Sequence, residues 1–127
     1  MEEDFRKFGL FRNAMKTVTF APGSTVFNEG DEARTMYAIK SGNLEVRIGG
    51  KPVRTMGECE IFGEMALLNH RTRSATVVAL EESVLVPVDE TSFILYVRQN
   101  PYFALQIAKL LADRLRDHDP LRPPDVS

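Results

Sequence analysis

The chain has 127 residues, of which 43% are hydrophobic and 27% charged, a composition typical of one globular domain rather than of a disordered or fibrous protein. Its 16 basic and 18 acidic side chains give a formal net charge of −2, so it lacks the positive field that holds nucleic acid, and we expect no direct nucleic-acid binding. The single cysteine, Cys59, excludes an internal disulfide and a four-cysteine metal or iron–sulfur site.

The sequence gives no reason to expect secretion or a membrane span. The N-terminus MEEDFRKF begins with acidic residues and has no apolar run of signal-peptide length. No stretch approaches the roughly twenty apolar residues that a membrane helix needs. We therefore expect a cytoplasmic protein, to which a single reduced cysteine is suited.

The spacing of the apolar residues changes from a helical pattern to a strand pattern near the start of the chain. Residues 2–16 read as a short amphipathic helix, and from Thr17 the apolar residues recur with a period of two, which predicts an antiparallel β structure. Gly49-Gly50 predicts a hairpin, and Pro52 after it belongs near a strand end or edge. The predicted strands are VTF, TVF, MYAIK, LEVRI, PVRTM, SATVVAL and SVLVPV.

Helical signals interrupt and then end the strand pattern. Between Gly57 and Arg73 the alternation stops, and EMALL predicts about one turn of helix. Asp89 is the expected N-cap of a helix through Val97. Asn100-Pro101 has the residues of a helix start, and the apolar stripe of this last helix should reach about Asp117 before the prolines that begin at Pro120.

This order of elements predicts an α+β fold. It comprises an antiparallel jelly-roll-like barrel of about eight strands with a short embedded phosphate-binding helix, an N-terminal helix and two C-terminal helices. We expect three segments, which are an N-terminal helical segment over residues 1–16, one domain over 17–119, and a flexible tail over 120–127.

The run FGEMALLNHRTRSATV, from Phe62 to Val77, combines groups that bind a sugar phosphate. Glu64 can accept hydrogen bonds from a ribose hydroxyl, and Arg73 can bind a phosphate with its planar fork of donors. The turn after Gly63 can direct unpaired backbone amides at the same anion. The run therefore predicts a pocket for a sugar phosphate.

Each of these residues also has a structural interpretation. Glu64 is an acid of the kind favoured in the first turn of any helix, and Arg73 could pair with a surface acid such as Glu60. Ser74 and Thr76 could be ordinary strand residues, which is the better interpretation for Thr76. His70 is expected to be exposed to solvent rather than functional.

Two longer segments together resemble a known family. FAPGSTVFNEGDEARTMYAIKSGNLEV followed by FGEMALLNHRTRSATV is similar to the cyclic nucleotide-binding domain found in the catabolite activator protein, in regulatory subunits of cyclic AMP-dependent kinase and in cyclic nucleotide-gated channels. The resemblance covers about residues 17–117. It implies that the protein binds cyclic AMP or cyclic GMP, with cyclic AMP slightly favoured because bacterial relatives with serine after the arginine bind it.

The resemblance also implies roles for individual residues. Glu64 would bind the ribose 2′-hydroxyl, Arg73 would bind the exocyclic phosphate oxygens, and backbone amides and the Ser74 hydroxyl would complete the anion site. The full set implied for the ligand is Gly63, Glu64, Met65, Ala66, Arg73, Ser74 and Ala75, with base or lid contacts from Arg114, Arg116 and His118.

We expect a sensor domain that binds a cyclic nucleotide and relays a helix rearrangement to a partner protein. The alternative is an interaction module that keeps the fold, binds no ligand, and forms a homodimer or docks through its C-terminal helix. An enzyme is not expected, because no nucleophile, base and orienting group occur together, and neither a metal nor a cofactor is expected. After the last predicted helix about ten residues remain, among them several prolines, which are too few for a helix-turn-helix, so we do not expect a complete transcription factor.

Overall fold

The computed structural model of the protein describes residues 16–69 and 72–116. Eight strands precede two longer helices, and a short helix lies between the sixth and seventh strands. In chain order the elements are β1 (Val18–Phe20), β2 (Thr25–Phe27), β3 (Thr35–Ser41), β4 (Asn43–Ile48), β5 (Lys51–Gly57), β6 (Ile61–Phe62), α1 (Ala66–Asn69), β7 (Thr76–Ala79), β8 (Ser83–Asp89), α2 (Glu90–Gln99) and α3 (Tyr102–Arg116).

The strands form two four-stranded antiparallel sheets, with orders β1-β8-β3-β6 and β2-β7-β4-β5. This arrangement confirms the predicted α+β jelly-roll with an embedded helical turn and two C-terminal helices. Strand β6 was not predicted, because its two residues are too few to show a period. Residues 2–15 of the predicted N-terminal helix and the tail over 120–127 lie outside the described residues.

Strands β3 and β8 are buried on both faces, which makes the molecule three-layered. Their residues Ile39 and Leu85 face the second sheet, in a core shared by both sheets. Alternate residues on the same strands, such as Met36 and Val88, pack on the opposite side against α2 and α3. Burial on both sides explains why these strands read as continuous apolar runs rather than as an alternation.

The predicted hairpin joins β4 to β5. Ile48 pairs with Lys51, so the loop contains only Gly49 and Gly50, whose φ angles are 61° and 81°. A two-residue loop with positive φ at both positions is a type I′ turn, which glycine adopts without strain. Strand β5 lies at the sheet edge, where the missing amide of Pro52 interrupts no ladder.

Both C-terminal helices begin at the predicted caps. The Asp89 carboxylate accepts a hydrogen bond from the Ser92 amide at 2.8 Å, and the Asn100 side chain accepts one from the Tyr102 amide at 3.2 Å. Phe103 on α3 anchors the pair, with its ring centroid 5.7 Å from that of Tyr96 on α2. No helix within the described ranges has the length and apolarity that crossing a membrane requires.

Removing the Asp89 cap should destabilise the protein in a pH-dependent way. The Ser92 amide, followed by the Ser92 hydroxyl, lowers the pKa of the Asp89 carboxyl below its usual 3.8. Because the folded-state pKa is depressed, the stabilisation is present above the unfolded value and is lost as pH falls through the folded one. We expect Asp89→Ala to cost about 1 kcal/mol in urea unfolding at pH 7, and less below pH 3.8.

The matched control is Asp89→Asn, since asparagine caps a helix about as well as aspartate without titrating. It should retain most of the stability at pH 7. An Asp89→Ala loss that stays constant from pH 7 to below the carboxyl pKa would contradict the capping role.

Candidate phosphate-binding site

The backbone around Arg73 is fixed by the loop that joins β2 to β3. The Arg73 amide donates to the Asp31 carbonyl at 2.7 Å, and the Arg73 carbonyl accepts from the Gly30 amide at 2.9 Å. The Glu29 amide of the same loop donates to the Thr76 hydroxyl at 2.9 Å. These three residues, the EGD motif of Glu29 to Asp31, therefore fix the backbone of Arg73. Thr76 serves the fold, which agrees with its structural interpretation.

The Arg73 side chain enters the space between the sheets and is only 5% exposed. Its guanidinium carbon lies 3.9 Å from the ring centroid of Phe27, a cation–π contact. Nη2 donates to the Thr35 carbonyl at 2.7 Å. Phe27 belongs to an aromatic group with Tyr37 and Phe62, whose ring centroids are 5.3–6.2 Å apart, so the guanidinium rests on a packed support.

The segment from Gly63 to Ala75, which contains the predicted ligand residues, is called the cassette below, and its backbone passes the guanidinium at Gly63. The Gly63 φ of 77° lies in the left-handed region, and a Cβ there would be 2.8 Å from Arg73 Nη1 and 3.3 Å from the Thr35 carbonyl oxygen. The backbone angle favours glycine, and a methyl group at this position would have to displace the end of the Arg73 side chain and press on the Thr35 carbonyl. Gly63 is thus a turn residue with a left-handed backbone, and the same turn leaves room for the arginine.

Two of the hydrogen-bond donor atoms of Arg73 have no acceptor among the described residues. Nε and Nη1 are buried and have no hydrogen-bond partner among the described residues. Burial lowers the pKa of the guanidinium, while the electrostatic interactions with Tyr37 and Asp31 act in the opposite direction. Arginine nevertheless stays protonated. A desolvated cation with two free donors is costly in isolation and becomes favourable when an anion pairs with it.

Glu64 is also buried, at 5% exposure, but it borders the helical side of the molecule. It lines a cavity of about 200 Å³ between β3, α1 and the C-terminal helices. The other lining residues are Met36, Leu67, Glu90, Phe93, Ile94 and Ile107. The cassette thus places Arg73 between the sheets and Glu64 against the helices, with Gly63 between the two.

The remaining predicted ligand residues are distributed along the cassette. Met65 is half-buried, Ala75 is fully buried and Ser74 is exposed. The Ala66 amide donates to the Gly63 carbonyl at 3.1 Å, which closes the turn before α1.

The predicted base and lid contacts fall near or beyond the end of the described chain. Positions 114 and 116 lie in α3, but their side chains are not among the described ones, and His118 and His70 lie outside the described residues.

The alternative pairing of Arg73 with Glu60 is wrong. The Glu60 carboxylate accepts a hydrogen bond from the Gly57 amide at 3.0 Å, and the Arg73 side chain is buried between the sheets.

Sequence reasoning missed the residues that support the guanidinium. Phe27, Thr35 and Tyr37 were predicted only as residues of, or next to, strands, and an aromatic residue in a strand normally indicates core packing. Nothing local in the sequence shows that they contact Arg73. The EGD motif, which begins two residues after the end of β2, was the only feature of this region that the sequence marked as unusual.

In the described part of the chain, no group of three or more acidic, histidine or cysteine side chains could hold a metal ion.

Comparison with known proteins shows the family of this chain. The family model of the cyclic nucleotide-binding domain matches residues 17–100. The chain therefore belongs to the cyclic nucleotide-binding domain family.

Two similar proteins are from Thermus thermophilus. The cyclic AMP receptor protein of Thermus thermophilus is 33% identical over 105 residues, which cover 79% of this chain and 49% of that protein. The crystal structure of the Thermus thermophilus catabolite activator protein superposes with a TM-score of 0.76 at 30% identity, covering 89% of this chain and 55% of the other. This chain thus spans about half the length of these relatives.

A third similarity is to the EAL enzyme Bd1971. Its cyclic GMP-bound and cyclic AMP-bound structures match with TM-scores of 0.59 and 0.58 at 31% and 32% identity. Each match covers 80% of this chain and 28% of that one.

Substituting Gly63 should test whether close packing against Arg73 matters beyond backbone strain. We expect Gly63→Ala to destabilise the protein by about 1 kcal/mol more than Gly23→Ala in urea unfolding, since the added methyl must displace the guanidinium or the β3 backbone. Gly23 is the matched control, because its φ of 85° imposes similar strain while its Cβ would meet nothing within 4 Å. Equal losses in the two variants would contradict the close contact.

Proposed function

We propose that the protein is a regulatory sensor domain, spanning residues 17–119, that binds a cyclic nucleotide in the Gly63–Ala75 cassette. The observation that carries this proposal is the buried Arg73 guanidinium, with Nε and Nη1 left without a hydrogen-bond partner among the described residues. An unpaired buried cation of this kind is retained where it pairs with an anion that is not part of the fold. A cyclic phosphate offers two exocyclic oxygens to the two free donors.

The remaining cassette residues supply the other contacts in this proposal. Glu64 accepts hydrogen bonds from the ribose 2′-hydroxyl, and the Ser74 and Ala75 amides together with the Ser74 hydroxyl complete the phosphate site. The Ala66 amide also donates to the phosphate. It either shares its hydrogen between the phosphate and the Gly63 carbonyl, to which it donates at 3.1 Å, or breaks that bond. Family membership and the nucleotide-bound structures of Bd1971 support this assignment.

The position of Glu64 gives ligand binding a route to the helices. Glu64 lines one cavity together with Phe93 of α2 and Ile107 of α3. A ribose that draws the Glu64 carboxylate toward itself changes the wall against which both helices pack. The ligand then shifts the population of helix positions to the extent that it binds one arrangement more tightly. The proposed output is a helix rearrangement that a partner protein reads, and we propose no catalytic step.

Removing the guanidinium should separate ligand binding from folding. Arg73→Met keeps most of the side-chain volume and removes a buried charge whose hydrogen bonds are incomplete. We therefore expect the free energy of unfolding without ligand to stay within about 1 kcal/mol of the wild-type value. Binding should fall sharply, because each charge-assisted hydrogen bond to the phosphate is worth about 1.5–3 kcal/mol, or roughly ten- to 150-fold in affinity. Arg73→Lys should not restore it, since one ammonium cannot replace the planar fork.

Calorimetric titration with cyclic AMP and cyclic GMP measures this effect. Arg34→Met is the matched control, because Arg34 is a surface arginine, 69% exposed, paired with Glu32. It should bind like wild type. Absence of binding to the wild type at millimolar nucleotide, or equal affinities in wild type and Arg73→Met, would reject the proposal.

One further observation favours a docking role for the helices. Large apolar side chains on α2 and α3 are exposed, namely Ile94 (51%), Leu95 (47%), Tyr102 (63%) and Leu105 (54%). Several exposed apolar side chains on two adjacent helices are typical of an interaction surface. We propose that a second copy of the chain covers it, so that the domain forms a homodimer through its C-terminal helices.

A charge placed on this face should disrupt the dimer. We expect Leu105→Glu to shift the mass measured by light scattering toward the monomer, because burying an unpaired carboxylate at an interface is unfavourable. Leu80→Glu is the control, since Leu80 is 42% exposed in the loop between β7 and β8, away from the helices. A wild-type protein that remains monomeric at high concentration, with or without nucleotide, would rule out the homodimer.

A further inference from the structure

The cavity beside Glu64 is larger than ordinary packing leaves. Protein cores contain few voids larger than a water molecule, whereas this cavity has a volume of about 200 Å³. For comparison, an engineered cavity of about 150 Å³ with aliphatic and aromatic walls binds a benzene molecule. The space between β3, α1 and the C-terminal helices is therefore large enough for one aromatic ring with a short substituent.

The inner walls of the cavity are apolar. Met36 is fully buried and Ile107 is 5% exposed, and both belong to the core between the first sheet and the helices. Leu67 packs against the same core, and the Phe93 ring packs on Phe103 with the ring centroids 5.4 Å apart. The core thus supports these walls from behind, and an apolar ring that enters the cavity gains dispersion contacts with them.

The mouth of the cavity lies on α2. Among the described lining residues, Glu90 and Ile94 are the exposed ones, and their spacing of four residues places them side by side on the helix. Phe93, which is three residues after Glu90, is less exposed and lines the same cavity. One turn of α2 therefore supplies an apolar wall together with a carboxylate at the entrance.

The described lining carries negative charge. Glu64 and Glu90 contribute carboxyl groups, and no lysine, arginine or histidine is among the described residues that line the cavity. An anionic ligand, such as a carboxylic acid, would bring a further negative charge to these two in a partly desolvated space, which is unfavourable. An ammonium group is attracted by both, and beside Glu90 at the mouth it can keep part of its hydration.

We propose that this cavity is a second binding site, for a small organic cation whose apolar ring lies between β3 and the two C-terminal helices and whose ammonium group pairs with Glu90. The site is separate from the phosphate end of the cassette, because the Arg73 guanidinium lies over Phe27 in the inter-sheet layer, whereas the cavity is on the helical side of β3. Its ligand has a charge opposite to that of a cyclic nucleotide. The site adds to the proposed function and does not depend on it.

Three compounds that share one ring and differ in charge test the site, namely phenethylammonium, phenethyl alcohol and phenylacetate. When phenethylammonium is added without nucleotide, the amide resonances of α2, α3 and β3 should move in NMR spectra. The expected dissociation constant is in the millimolar range, as for other ligands of about nine non-hydrogen atoms. The alcohol should bind roughly two- to fivefold more weakly, since it lacks the ion pair, and phenylacetate should bind more weakly still.

Two pairs of variants locate the binding. Ile94→Phe places a larger side chain at the mouth and should weaken phenethylammonium binding roughly fivefold or more. Leu95→Phe is its matched control, because Leu95 is adjacent on α2, is 47% exposed and is not among the lining residues. Glu90→Gln should abolish the preference for the cation over the alcohol. Glu81→Gln, in the exposed loop between β7 and β8, should keep that preference.

Several outcomes would overturn the inference. Phenethyl alcohol or phenylacetate that binds as tightly as phenethylammonium would reject a cationic ligand. Shifts that persist unchanged in Ile94→Phe would mean that the compound binds outside this cavity. Binding by Leu105→Glu but not by the wild type would mean that a second copy of the chain covers the mouth, and absence of binding in both would reject the site. A wild type that binds phenethylammonium but no cyclic nucleotide would reject the proposed function alone.

Discussion

The buried guanidinium of Arg73 imposes the constraint around which the other parts of the site are arranged. A cation removed from water must be compensated by the protein or by a ligand. Here the protein supplies a cation–π contact with Phe27 and one hydrogen bond to the Thr35 carbonyl, while Nε and Nη1 remain unpaired among the described residues. Gly63 leaves space for the Arg73 side chain, and the EGD loop fixes the Arg73 backbone with two hydrogen bonds.

The three-layered fold places the two charged residues of the site in different layers. The inter-sheet layer holds Arg73 on aromatic rings, where water is excluded and an electrostatic contact is strong. The layer between sheet and helices contains Glu64 and the cavity that it shares with α2 and α3. The cassette is the segment common to both layers. A ligand that contacts Arg73 and Glu64 together therefore acts on the barrel interior and on the helix packing at once.

Local chemistry made much of the fold predictable from the sequence. The Gly49-Gly50 hairpin and the caps at Asp89 and Asn100 depend on a few adjacent residues, and the structure confirms them. The cassette was recognisable because its groups lie close together in the chain. The support under Arg73 was not, since Thr35 is 38 positions away.

The most direct measurement is the NMR spectrum of the arginine Nε–H groups during titration with cyclic GMP and cyclic AMP. Arg73→Met identifies the Arg73 Nε–H resonance by its disappearance. We expect that resonance to move downfield as the nucleotide saturates the protein, because a phosphate oxygen then accepts the hydrogen bond that the described residues do not supply. A nucleotide that binds while the Arg73 Nε–H resonance stays in place would contradict the assignment of the buried guanidinium as the phosphate-binding group.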